Sequence, residues 1–230
     1  QQSEGRIVKS FLVGPGFLLA VAAGLLHFDL SAIAADAALS SVPAPSAERR
    51  VELLKSGPVL WFGTFGSPDD ARTIPLNVRS YADAAAQAKF KYAVIMAKGE
   101  PGFCVWNDKQ YDYSLGAAAR DYLKEFVEAC RAKGIAPGVF YSVSDGHYEG
   151  QGRLKGPVGV PYFGLIKRQI SELLTLYPGF RFLAIHGAAR FSESQWTELC
   201  QAINQTNPDC LLLCEPSAAA NDPKVLPFDW

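Results

Sequence analysis

From residue 51 onward, short apolar runs alternate with stretches in which apolar positions recur every three or four residues. The runs Val59–Phe65, Tyr92–Ala97, Pro137–Ser142, Phe182–His186 and Cys210–Cys214 read as strands. Each is continuously apolar, as expected of a strand covered on both faces, and parallel pairing with helical crossovers provides that cover. Between them, Ser80 is placed to cap a helix carrying Tyr81, Ala84, Ala85 and Ala88 on one face. Ala119, Tyr122, Leu123, Phe126, Val127 and Cys130 keep a 3.6-residue period that Gly134 ends. Phe163, Ile166, Ile170, Leu173, Leu174 and Tyr177 form a third stripe, stopped by Pro178-Gly179. Ser192 with Gln195 makes a capping box ahead of Trp196, Leu199, Cys200 and Ile203. Helix following strand throughout predicts βα units, in part of a (β/α) barrel or in an open doubly wound sheet.

The N-terminal fifth carries a different pattern. Residues 10–28, SFLVGPGFLLAVAAGLLHF, hold no formal charge and as a helix would cover roughly 28 Å, close to a bilayer's hydrocarbon core. We read this segment as a transmembrane helix, with a secretory signal as the alternative that the small residues around Ala32 to Ala37 permit. Arg6 and Lys9 precede it and the next basic residue is Arg49, so the N-terminus is expected on the cytoplasmic side and the rest of the chain on the periplasmic, lumenal or extracellular side. The expected organisation is an N-terminal flank (1–9), the span (10–28), an Ala/Ser/Pro linker (29–50), an α/β domain (51–215) and a C-terminal tail (216–230).

Composition narrows the function. The 22 Lys+Arg nearly cancel the 23 Asp+Glu, and no run of one sign appears, so nucleic acid is not an expected partner. The five cysteines form no C-x-x-C pair and no cluster with histidine, so neither a structural metal nor a cofactor is expected, and buried thiols are the simplest reading. No glycine-rich loop follows a strand, which argues against a nucleotide site.

The segment KYAVIMAKGEPGFCVW (91–106) resembles the second strand and following loop of the α-L-fucosidases of glycoside hydrolase family 29. The likeness continues in order through Tyr111-Asp112-Tyr113, KEFVEACRAKGI, GVFYSVSDGHY, ISELLTLYPG, FLAIHGA and NPDCLLLC, covering most of residues 75–215. It implies a TIM-barrel-like (β/α) domain and a retaining hydrolase with a strand-end Asp nucleophile, a second carboxylic acid, and a His-His-Asp-Gly-Phe loop that holds the sugar. Retention needs two carboxyl groups about 5 Å apart across the scissile bond.

The matching positions depart from that pattern. His186 stands where the resemblance places the nucleophile, and Gly99-Glu100-Pro101 replace His-His-Asp ahead of Gly102-Phe103. The polar strand-end residues Asp145, His147 and Glu215 are the remaining candidates for a residual site, together with Glu100 and His186. About five βα units are legible before residue 216, so the expected fold is an incomplete TIM-barrel-like domain with exposed edge strands, preceded by one transmembrane helix. The expected function is that of a non-catalytic accessory or structural subunit of a membrane protein complex, a pseudoenzyme in contact with the bilayer through residues 10–28. A lectin-like carbohydrate binder and a divergent glycoside hydrolase are the alternatives.

Overall fold

The computed structural model describes residues 59–117, 119–148 and 157–214, and the backbone of 225–227. Six parallel strands run in the order of the chain: β1 (Leu60–Phe62), β2 (Tyr92–Lys98), β3 (Ala136–Ser142), β4 (Phe182–His186), β5 (Leu211–Cys214) and β6 (Val225–Pro227). Each strand pairs with the one before it. A doubly wound sheet reverses its strand order at a switch point, whereas a barrel adds strands in sequence. The order observed is that of a barrel segment.

Among the described residues, five α-helices accompany the strands: α1 (Pro68–Thr73), α2 (Val78–Gln87), α3 (Tyr122–Ala132), α4 (Val160–Leu176) and α5 (Glu193–Thr206). Ala93, Ile95, Ala97, Val139, Tyr141, Leu183, Ile185, Leu212 and Cys214 join the apolar faces of the helices in the main core. The alternate residues Val94, Phe182, Ala184, Leu211 and Leu213 form a second cluster on the opposite face of the sheet, with Trp61, Tyr92 and Phe140 half-buried beside them. The period of two thus splits each strand between helix-side and inner layers. Gly138 serves that inner layer, because a Cβ there would lie 2.1 Å from Phe182 Cε2.

Several local expectations change. The first strand is shorter than its apolar run: beyond Phe62 the chain bends, and Thr64 Oγ1 donates to the Met96 carbonyl at 2.7 Å. Asn77, rather than Ser80, caps α2, and Ser80 lies one turn inside it with its hydroxyl donating to the Asn77 carbonyl. The short helix α1, started by Ser67 accepting from the Asp70 amide, has too few apolar residues to show a period. A sixth strand lies in what reads as a tail, because three residues are too short a run to stand out among prolines. The Ser192–Gln195 capping box is present, and Gly134 closes α3 with φ +68. The proposed span 10–28, the linker 29–50 and Glu215 lie outside the described residues. Among the described residues, no helix is long and apolar enough to cross a membrane, and no three His, Cys, Asp or Glu side chains gather as metal ligands.

Candidate functional site

The C-terminal ends of β2, β3 and β4, and the loops that follow them, carry the candidate residues. Two layers can be distinguished by depth.

The deeper layer is built around Lys98, which is fully buried. Strict alternation would put Lys98 on the face of Val94, but the pairing slips here: Met96 faces Phe140 and Lys98 faces Tyr141. Two residues of β2 therefore oppose one step of β3, and the irregularity re-aims the lysine toward the helix side. There its Nζ lies 2.9 Å from Asp145 Oδ2, itself fully buried, and 3.3 Å from the Tyr162 hydroxyl on α4. Tyr111 donates to the same Asp145 oxygen at 2.7 Å, and Oδ1 accepts from the amides of His147 and Tyr148. With the lysine and three donors, the buried carboxylate is paired as such a charge must be. Burial, reinforced by the Asp145 hydrogen bond, drives the Tyr111 phenol far above its usual range, so it stays protonated and donates.

The network extends outward. Tyr141 donates to Gln169 Oε1 at 2.6 Å, and Gln169 Nε2 donates to Asp108 Oδ2 at 2.9 Å. Arg168 closes it with two parallel hydrogen bonds of 2.8 Å to the Asp108 carboxylate. Burial by itself would raise the Asp108 carboxyl, but the bonds from Arg168 and Gln169 outweigh it and hold the group below its ordinary range. The loop around this layer is fitted to it: Gly102 has φ +94, and a Cβ there would come within 1.9 Å of Asp145 Oδ1.

The rim layer is looser. His186, on the inner-face register of Phe182 and Ala184, ends β4, and its Nδ1 lies 3.9 Å from Glu100 Oε1 and 3.4 Å from Ser142 Oγ. The Phe140 ring stacks beneath it at 6.2 Å. His147 stacks on Tyr113 at 4.1 Å and its Nε2 lies 3.2 Å from Asp112 Oδ1. Glu100 also fixes the next loop through its carbonyl, which accepts from the Gly146 amide at 2.9 Å, with Pro101 packed against Gly146.

The structure therefore brings Glu100 and His186 together, but separates Asp145 from them into the buried layer and gives His147 a partner of its own. Gly99 and Pro101 shape the loop: a Cβ on Gly99 would sit 3.1 Å from the Met96 sulfur. Sequence reasoning missed the roles of Lys98, Asp108, Arg168 and Gln169. One signal was available, since Gln169 interrupts the stripe of Ile166, Ile170 and Leu173 on α4 and is fully buried. A polar residue inside an apolar stripe needs a buried partner. No disulfide joins the described cysteines, and burial pushes the thiols of Cys130 and Cys210 up to about 12. These are packing residues, not nucleophiles.

Comparison with known proteins bears on the chemistry of this mouth. The chain is 28% identical over 118 residues to α-L-fucosidase 1 of Arabidopsis thaliana, an alignment covering 49% of this chain and 22% of that protein. Its fold is similar to that of a glycoside hydrolase 29 family member from an unknown rumen bacterium, with a TM-score of 0.61 and 21% identity over 75% of this chain and 36% of the other. It is also similar to a GH29 α-L-fucosidase from Bacteroides thetaiotaomicron, with a TM-score of 0.53 and 22% identity over 60% of this chain and 34% of the other. The chain thus spans about a fifth of the curated relative's length and about a third of these two structures. The α-L-fucosidase family model matches residues 72–211, well over half of the sequence, and on that ground this chain belongs to the α-L-fucosidase family.

Proposed function

We propose that this chain is a fucosidase-family domain without double-displacement hydrolysis, serving as a membrane-anchored accessory or structural subunit of a larger membrane protein complex. The observation that carries the non-catalytic reading is the imidazole at the end of β4. Retention proceeds through a glycosyl ester, which a carboxylate forms and His186 cannot. Of the strand-end carboxylates among the described residues, Asp145 is paired with Lys98 and held by three further donors, and Glu100 faces His186 on the rim. The membrane half of the reading rests on the uncharged run 10–28 and its flanking charges.

A chromogenic α-L-fucoside, assayed from pH 4 to 8 with the full chain, tests the first half, and no turnover above blank is expected. Extraction in mild detergent tests the second: the chain is expected to co-purify with other membrane proteins, and recovery as an isolated monomer would sink the subunit role. A divergent glycoside hydrolase is the second reading, favoured by the family match and by a carboxylate and an imidazole facing each other at the mouth. Turnover that disappears in Glu100→Gln would establish it. Calorimetric titration with fucose distinguishes either from a lectin-like binder.

A further inference from the structure

Asparagine is used in two ways at the end of α5. Asn207 caps the helix; it is buried, and its side-chain amide donates to the Phe180 carbonyl at 3.3 Å. Asn204, one turn earlier, is partly exposed, and none of the described residues hydrogen-bonds its side-chain amide. It also begins the triplet Asn204-Gln205-Thr206, the pattern of an asparagine two residues ahead of a hydroxyl that N-linked glycosylation requires. Asn77, Asn107, Asn207 and Asn221 have Arg79, Lys109, Asp209 and Pro223 at the corresponding place. We propose that Asn204 carries an N-linked oligosaccharide, attached as the chain enters a secretory lumen and before α5 forms. This rests on the reading that the domain lies across the membrane from the N-terminus, and adds a modification to it.

Geometry fixes the order of events. A transferase that reads both the carboxamide and the hydroxyl must reach them from one side. In an extended chain, residues i and i+2 point to the same side, so Asn204 and Thr206 are presented as a pair. In α5 they lie about 200° apart around the axis, and the Thr206 hydroxyl is turned back to the Ala202 carbonyl at 2.9 Å. Folding thus closes the acceptor, and modification has to precede it. The step is a substitution at C1 of an oligosaccharide linked to a polyprenyl diphosphate. The bond between Asn204 Nδ2 and C1 forms, the bond between C1 and the diphosphate oxygen breaks, the lipid diphosphate leaves with the electron pair, and Nδ2 gives up one proton.

Once folded, the domain has room for the added group. The buried side of α5 is made by Leu199 and Ile203, with Trp196 and Cys200 packed beside them, and Asn204 stands outside that stripe. The helix returns the chain from the mouth to the start of β5, so Asn204, two residues before its end, lies toward the end of the sheet opposite the mouth. The exposed positions Lys124, Glu128 and Arg131 of α3 are charged, whereas residues 199–208 contain no formal charge and expose Gln201 and Gln205. A bulky, hydrated glycan supplies on α5 the solubility that charges supply on α3.

Translation of the full chain with sealed endoplasmic-reticulum vesicles, which hold both the transferase and the lipid-linked donor, tests the assignment. One upward step in apparent mass is expected, removed by an amidase that cleaves N-linked glycans and located at Asn204 by fragmentation of the tryptic peptide 191–224. The step is expected to persist in Thr206→Ser and to be lost in Asn204→Gln and in Thr206→Ala, the latter leaving the acceptor nitrogen in place. Because modification precedes folding, the stability of a variant does not enter the readout. Protease added outside the vesicles separates this proposal from the membrane reading on which it rests. A protected but unmodified domain overturns the glycan and leaves the orientation standing, whereas a digested, unmodified domain overturns both. A step that survives in Thr206→Ala also overturns the assignment.

Discussion

The deep and rim layers at the mouth use the same residue types and differ in what surrounds them. Lys98 and Asp145 are both without exposed surface and meet at 2.9 Å, with Tyr111 and two backbone amides completing the carboxylate. Glu100 and His186 meet at 3.9 Å with 46% and 21% of their side chains exposed. Water screens the second pair and replaces whatever it loses, whereas nothing replaces a lost partner in the first. A substitution therefore costs most where the layer is dry.

The largest test of that contrast is Lys98→Met, which strands the Asp145 charge and is expected to destabilise the domain by about 3–5 kcal/mol in denaturant melts. Adding Asp145→Asn removes the stranded charge while keeping groups for Tyr111 and the amides, so the double variant is expected to be more stable than Lys98→Met. A double variant as unstable as the single one would show that the pair matters through packing instead of charge. Gly102→Ala comes next, at about 2 kcal/mol or more, because both the positive φ and the Asp145 oxygen resist a Cβ.

Asp108→Asn loses one of the paired bonds to Arg168 and is expected to cost about 1–2 kcal/mol at neutral pH. It also carries a pH signature. The folded carboxyl lies below its unfolded value of 3.8, so its stabilisation is present above that value and is lost as pH falls through the folded one. Acid melts of the wild type should converge on those of Asp108→Asn once pH falls below the folded value, since both side chains are then neutral. The smallest effect is expected on the rim, where Glu100→Gln should change stability by no more than about 0.5 kcal/mol. A loss approaching that of Lys98→Met would erase the distinction between the layers.

How far the sequence disclosed these layers depends on range. Strands β2 to β5 and helices α3 to α5 follow from periodicity and end signals, because burial on one or both faces is written into every residue of the run. β1 was legible as part of a longer apolar run, of which only three residues pair, whereas the three-residue β6 gives no such sum. At the site, Glu100 and His186 were legible through departures from the family pattern, and they do meet. Asp145 looked equivalent to them but is buried. Its depth is decided by Lys98, whose direction depends on a one-residue slip between β2 and β3 that no periodicity records. Arg168 and Asp108 pair across 60 residues, a distance over which local pattern has no reach.

The sequential strand order has a consequence for how such a domain is made. Since every strand pairs with its predecessor, an emerging chain always finds the edge it needs already synthesised, and no strand waits for a partner still inside the ribosome. Growth can advance one unit at a time from β1. The buried ion pair is the exception, because Lys98 emerges almost fifty residues before Asp145. Until the β3 loop arrives, the growing edge carries an unneutralised lysine, a charge that discourages premature association with another nascent sheet.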